Sequence, residues 1–220
     1  MKKQLTALLL ALCLILALSA CGKAPVPSES AEVLPSQSAG EQNDDAAAAA
    51  AEPGRQDGER FEAVIVLEGM EETVLYEHVV NEALGFAMDY DCESFVRTSG
   101  SDRERFSSVW EDAADPQDYL ELSFRSGDVD TVAEAVRAEL APVYELYETT
   151  RDLDGAGEVL YIEASVLKGT NNMADTLRLV YIIPAGDGCL VAEEHLVAEA
   201  SEGFGRRFAY MLDTLTLLGG

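Results

Sequence analysis

The chain has 220 residues, with 41 Asp and Glu against 15 Lys and Arg and a formal net charge of −26. Such an excess repels phosphate backbones and anionic headgroups, and no Lys/Arg cluster offers a phosphate-binding face, so nucleic-acid binding is excluded. Four cysteines in this length do not make a disulfide framework.

In chain order, Met1-Lys2-Lys3 is a short basic region, and Ala7 to Leu18 is an unbroken run of about twelve apolar residues, the proportions of a secretory signal. A bilayer span needs roughly 20 apolar residues, so this run is too short to be one. It ends in Leu18-Ser19-Ala20-Cys21, which resembles the bacterial lipoprotein signal: an aliphatic residue, two small residues, then Cys. The resemblance implies that residues 1–20 are removed, taking Cys13 with them. It also implies that the Cys21 thiol carries the lipid that holds the chain to the outer, extracytoplasmic face of a cell membrane. Two acyl chains suffice for a stable anchor, since each buried methylene contributes about 0.8 kcal/mol. An ordinary signal with an incidental Cys is the competing reading.

Residues 21–60 are rich in Ala, Ser, Glu, Pro and Gly, with Pro25, Pro27, Pro35 and Pro53 and the run Ala46 to Ala51. So little apolar material cannot offset the entropy of ordering, and the segment is predicted to be a disordered, lipid-anchored linker. A flexible chain of this length spans on the order of 35 Å, enough to hold a domain off the membrane.

Residues 61–220 have the size of a single domain. They carry about −23 of the net charge. The acidity reads first as solubility and second as a preference for a basic partner. Phe61 to Glu68 and Thr73 to Val80 form a predicted hairpin about Glu68–Glu72. Gly85 to Tyr90, Ser94 to Thr98, Arg105 to Trp110 and Tyr119 to Arg125 follow as strands, and later Val159 to Leu167, Leu177 to Ile183 and Cys189 to Leu196. Short turns at 169–172 and 186–188 between successive strands imply an antiparallel sheet of about six or more strands.

Two helices are expected to cover it. The first is capped by Asp128 or Asp130 and places Val132, Val136, Leu140, Val143 and Tyr147 on one side, with Pro142 expected to kink or shorten it. The second runs from Ser201 to Asp213 with Phe204, Phe208, Met211 and Leu215 on one stripe; Gly203 and Gly205 weaken its propensity and would admit a close strand. The fold class is therefore α+β, helices on an antiparallel sheet.

The order of an N-terminal hairpin, then Leu84-Gly85-Phe86-Ala87-Met88-Asp89-Tyr90-Asp91, a middle helix, three long strands and a closing helix ending Met211-Leu212-Asp213-Thr214-Leu215 resembles uncharacterised lipoproteins of clostridial bacteria. More distantly it resembles the PsbP-like α-β-α sandwich shared by a photosystem II extrinsic subunit, a Ran-binding import factor and some mycobacterial surface lipoproteins. Related chains often have Pro after the Tyr-Asp of the third strand, where this chain has Cys92. The resemblance implies binding or assembly rather than catalysis.

Each remaining residue with chemistry also has a plainer role. Cys92 and Cys189 flank predicted strand ends, and either a disulfide between them or two separate thiols fits an extracytoplasmic domain; no partner pattern makes either a nucleophile. Alternation puts Glu193 and His195 on one face of a strand and Glu194 on the other, and His78 lies in another strand. A zinc site needs three or four converging ligands, and none is apparent, so no metal or cofactor is expected. Asp152-Leu153-Asp154-Gly155-Ala156-Gly157-Glu158 has acidic residues about a turn but lacks the length of a calcium loop, and reads better as a polar hairpin connection. Ser107-Ser108 lacks a nucleophile-elbow context. Trp110, followed by Glu111-Asp112, is read as a core residue rather than a sugar-stacking one.

Two functions survive. The first is a non-enzymatic binding or assembly module for another envelope protein, tethered through Cys21. The second is a ligand- or metal-binding, or hydrolytic, surface lipoprotein with a pocket between sheet and helix, using carboxylates such as Glu193 or Asp152.

Overall fold

The computed structural model describes residues 54–67 and 69–219. Among the described residues, eleven strands and two helices follow in the order β1 (Arg60–Leu67), β2 (Met70–Asn81), β3 (Phe86–Asp91), β4 (Phe95–Ser99), β5 (Arg103–Ser108), β6 (Tyr119–Ser126), α1 (Val129–Leu140), β7 (Tyr144–Leu153), β8 (Gly157–Leu167), β9 (Met173–Ala185), β10 (Gly188–Val197), α2 (Ser201–Asp213) and β11 (Thr216–Leu217). The α+β class is thus observed. The single sheet expected from the sequence is instead two antiparallel sheets, in the orders β1-β2-β3-β11 and β4-β5-β6-β10-β9-β8-β7. The sequence pattern could not separate them, because strands of both sheets alternate in the same way and their partition is decided by pairing partners distant in the chain.

The central strands of the larger sheet are buried on both faces. Along β9, Leu177, Tyr181 and Ile183 enter one core with Phe86, Met88, Phe106, Leu120 and Phe208. Val180 and Ile182 point the other way, where they meet Val132, Ala133, Val136 and Leu140 of α1. Helix α1 therefore covers one face of the large sheet, and the opposite face shares its core with the small sheet and α2. This is the period-two geometry of strands used on both sides.

Asp128 caps α1, accepting the Thr131 N–H at 2.8 Å. The helix stops at Leu140, so Val143 and Tyr147 do not extend its apolar stripe. Tyr144–Leu153 is strand β7, with Tyr147 63% exposed. Pro142 has no N–H to donate back into the helix and its ring clashes with the preceding turn, which accounts for termination at Leu140 even though Ala141 keeps helical angles (φ −60°, ψ −21°). Arg137 in the last turn of α1 then pairs with Glu148 of β7 at 2.8 Å.

Helix α2 forms as expected over Ser201–Asp213. Its glycines are not required for close packing, however. A methyl at Gly203 would meet nothing within 4 Å, and one at Gly205 would make only ordinary contacts with Leu196 and Glu194 at 3.5 and 3.8 Å. Replacing Gly203 by Ala is therefore expected to stabilise the domain by about 0.5–1 kcal/mol, measured by chemical denaturation. Gly155 is the opposite case: a Cβ there would lie 2.2 Å from the Leu215 carbonyl oxygen, so the β7–β8 turn can seat against the chain leading into β11 only without a side chain.

Ordered contacts begin before residue 61. The Gly58 N–H donates to the His78 carbonyl at 2.8 Å and the His78 N–H to the Glu59 carbonyl at 2.8 Å, so the expected linker boundary at 60 lies inside the folded unit. Cys21 and most of the linker fall outside the described residues.

Candidate functional site

The small sheet leaves one long edge, β1, and its geometry follows from the hairpin. Leu67 is paired with Met70, Ile65 with Glu72, Ala63 with Val74 and Phe61 with Tyr76. A hairpin closed by so short a turn begins with a hydrogen-bonded pair, so Leu67, Ile65, Ala63 and Phe61 direct their backbone groups to β2. Val66, Val64 and Glu62 then direct theirs away from the sheet. Val66 confirms this: its N–H donates to the Tyr210 hydroxyl at 3.1 Å, and that hydroxyl donates to the Val66 carbonyl at 3.0 Å. One side chain of α2 thus occupies the place a neighbouring strand would take. Among the described residues, the backbone groups of Val64 and Glu62 have no such partner.

Beside this edge lies a notch between β1 and α2, lined by Phe61, Ala63, Val64, Ile65, Tyr76, Asp89, Tyr210 and Thr214. It is open to solvent on one side and holds about 20 Å³. That is the room of one water or methyl group. Its lining is mainly apolar, and Val64 is 55% exposed at its rim.

Buried charged groups, Asp89 at the notch among them, hold the fold together. Asp89 is buried, accepts from Arg55 at 3.2 Å and sits 2.5 Å from Nδ1 of buried His78, while its N–H donates to Thr214 Oγ1 at 2.9 Å. Arg55 lies 3.5 Å over the Phe61 ring. Asp91 accepts from Arg207 of α2 at 2.7 Å and from the N–H groups of Glu93 and Ser94. Glu104, fully buried, accepts from Asn81, Arg97 and Ser99. These carboxylates are each satisfied by several donors, which is the condition for burying charge. Glu194 is the exception. Its Oε1 accepts from the Tyr181 hydroxyl at 3.0 Å, its Oε2 has no partner, and burial pushes the carboxyl up to about 8.

A second opening of about 290 Å³ lies beside the β4–β5 end of the large sheet, lined by Thr98, Ser99, Gly100, Arg103, Arg105, Ser107, Ala113 and Pro116. Its cations are already engaged: Arg105 pairs with Glu121 at 2.5 Å and lies 4.3 Å over Tyr119, and Arg103 is 3.8 Å from the same carboxylate. Tyr119 in turn stacks on His195 at 4.7 Å. This face is polar and internally neutralised.

The sequence candidates are dispersed. The Nδ1 of His195 lies 2.6 Å from the Gln117 carbonyl, and burial depresses its imidazole. Glu193 is bound to Arg178, so it does not join His195 as a ligand edge. No three His, Cys, Asp or Glu side chains converge as a metal site among the described residues. Residues 152–158 are the end of β7, the turn 154–156 and the start of β8, with Glu158 accepting from Thr150 at 3.4 Å. Ser108 Oγ accepts from the Trp110 N–H at 3.2 Å. Trp110 is not core: it is 68% exposed and packs on Phe204 at a tilt of 33° with ring centroids 5.9 Å apart, because it falls after β5 has ended.

The Cys92–Cys189 bond is not formed. Cys189 packs in the core under α1 and its thiol donates to the Gly127 carbonyl at 3.6 Å, whereas Cys92 packs against the other core and donates to the Leu75 carbonyl at 3.3 Å. Two cores on opposite sides of the large sheet keep the sulfurs apart. Burial raises both thiols above their ordinary range, so thiolate is scarce at neutral pH. Alkylation of the native chain at pH 7.5 is expected to label Cys92 slowly and Cys189 only on unfolding, as read by peptide mass.

The β1 edge escaped sequence analysis because its capping residue, Tyr210, lies 144 positions from Val66. The burial of Glu194 also escaped it, although the signal was there: Glu194 follows Leu190 and Ala192 at alternate positions, on their buried face.

The strand order and two helices define an α+β domain of two antiparallel sheets. No family model and no curated protein matches the chain. Among solved structures it is similar to the solution structure of cyanobacterial PsbP (CyanoP) from Synechocystis sp. PCC 6803, at 12% identity and a TM-score of 0.44, over 64% of this chain and 92% of that one. It is also similar to the crystal structure of LpqN, involved in cell envelope biogenesis of Mycobacterium tuberculosis, at 9% identity and a TM-score of 0.32, over 74% and 86%. Neither likeness carries a residue role or an activity over to this chain.

Proposed function

We propose that the protein is a non-enzymatic binding or assembly module, anchored by a lipid on Cys21 to the extracytoplasmic face of the membrane and docking another envelope component. The observation that carries the binding reading is the long β1 edge, whose backbone groups are exposed beside an apolar notch. Satisfied carboxylates and internally paired arginines elsewhere support a structural rather than chemical use of the polar residues. The anchor rests on Leu18-Ser19-Ala20-Cys21 alone.

Photo-leucine incorporated throughout the full chain in native membranes tests the module without presupposing a surface. One adduct of discrete mass is the expected result, together with release of the Cys21→Ala chain from the membrane fraction. A diffuse smear, or no adduct, removes the module reading, and a Cys21→Ala chain still held through an N-terminal lipid removes the anchor.

A further inference from the structure

The β1 edge specifies more about its occupant than that it is a protein. Glu62 and Val64 present N–H and C=O groups outward at the spacing of a strand, and Tyr210 satisfies the next pair, at Val66, and so marks where pairing must stop. A chain that fills these groups must be extended, since only a strand offers alternating donors and acceptors at that repeat. Its side chains alternate between two environments. On the α2 side lies the open notch, whose 20 Å³ takes a methyl group of a small aliphatic side chain. On the opposite side lies Glu62, and Val64 between the two stands at the rim of the notch. Glu62 is exposed, and Arg60, its neighbour on that face, is taken by Glu77 at 2.7 Å. A Lys or Arg opposite Glu62 therefore completes a charge pair in a strongly acidic domain. A second copy of the chain fits poorly, because each copy brings a net charge of −26.

We infer that β1 receives an extended segment of a partner protein, alternating small aliphatic residues that enter the β1–α2 notch with basic residues that face Glu62. This rests on the binding-module reading and names the partner's chemistry. Edge strands commonly carry protection such as a bulge, a proline or a charge, and on β1 the Glu62 charge disfavours any occupant but a basic one. On β1, Tyr210 protects one position and leaves the two before it open.

The test uses the full chain, a synthetic peptide of alternating Lys and Val, and two controls: one with Lys replaced by Glu, one with Val replaced by Trp. The Lys-Val peptide is expected to bind and slow amide exchange at Glu62 and Val64, while neither control binds. Val64→Pro deletes a donor that points off the sheet, so the fold should survive, and it is expected to weaken binding by about tenfold or more. Glu62→Lys should weaken it several-fold.

Equal binding of the Glu peptide, undiminished binding to Val64→Pro, or protection confined to residues outside β1 would overturn the inference. So would concentration-dependent dimerisation through β1, which would make the occupant a second copy. A discrete photo-leucine adduct with no Lys-Val binding would remove this partner assignment and leave the module reading standing; absence of both would remove the two together.

Discussion

Replacing Glu194 by glutamine is expected to make the domain more stable at pH 9 while leaving it almost unchanged at pH 4. Glu194 is wholly buried against Tyr181, whose ring packs at a tilt with its centroid 5.0 Å from that of Tyr161, and Arg151 lies over Tyr161 at 4.0 Å. Burial is the main cause of its raised carboxyl, opposed by the Tyr181 hydrogen bond and the Arg151 charge. The Tyr181 hydroxyl is itself pushed far up by burial and remains the donor. Between the ordinary value near 4.5 and the folded value of about 8, the folded chain holds a proton that the unfolded chain releases. The stability from this site is therefore complete below the lower value, declines as the pH rises through the interval and is lost above the upper one. The glutamine keeps the acceptor for Tyr181 and cannot ionise, so it should gain roughly 2–4 kcal/mol relative to wild type above pH 8. Asp118 and Asp213, both raised to about 6, titrate in either protein and cancel in the comparison. Urea midpoints from pH 4 to 9 measure it; a difference independent of pH would show that Glu194 is not the titrating group.

The second large effect is expected from Phe208→Ala. Phe208 is fully buried where α2 meets β4, its ring 4.7 Å from Phe95 and 6.4 Å from Phe204. Removing a ring from such a site loses transfer free energy and leaves a cavity, costing about 3–5 kcal/mol. The same ring holds the helix that presents Tyr210 two residues on, so loosened docking of α2 should also free the Val66 backbone. Equilibrium denaturation reads the first consequence and amide exchange at Val66 the second. Phe204→Ala, at a partly exposed position, should cost less.

Helix α2 and most strands were legible because their apolar spacings meet one core. Phe208, Met211 and Leu215 recur at helical intervals, and Leu190, Ala192 and Leu196 at alternate ones. Strand β7 was not legible, since Val143 and Tyr147 fall by chance on the helical stripe of Leu140; Pro142 and the pairing of Tyr144 with Leu167 decide otherwise. The sheet partition and the β1 edge depend on which distant strands pair, which local periodicity does not encode. Glu104 shows the same limit: an acidic residue in a strand looks solvated until Asn81, Arg97 and Ser99 converge on it.

The most direct measurement of partner docking at β1 is site-specific photo-crosslinking in native membranes, with the reactive residue placed at Val64 or, as a control, at Tyr147 on the exposed far edge of the large sheet. A single adduct from position 64, reduced when Glu62→Lys is added and absent from position 147, is the expected result. Equal adducts from both positions, or adducts only from 147, would contradict docking at β1.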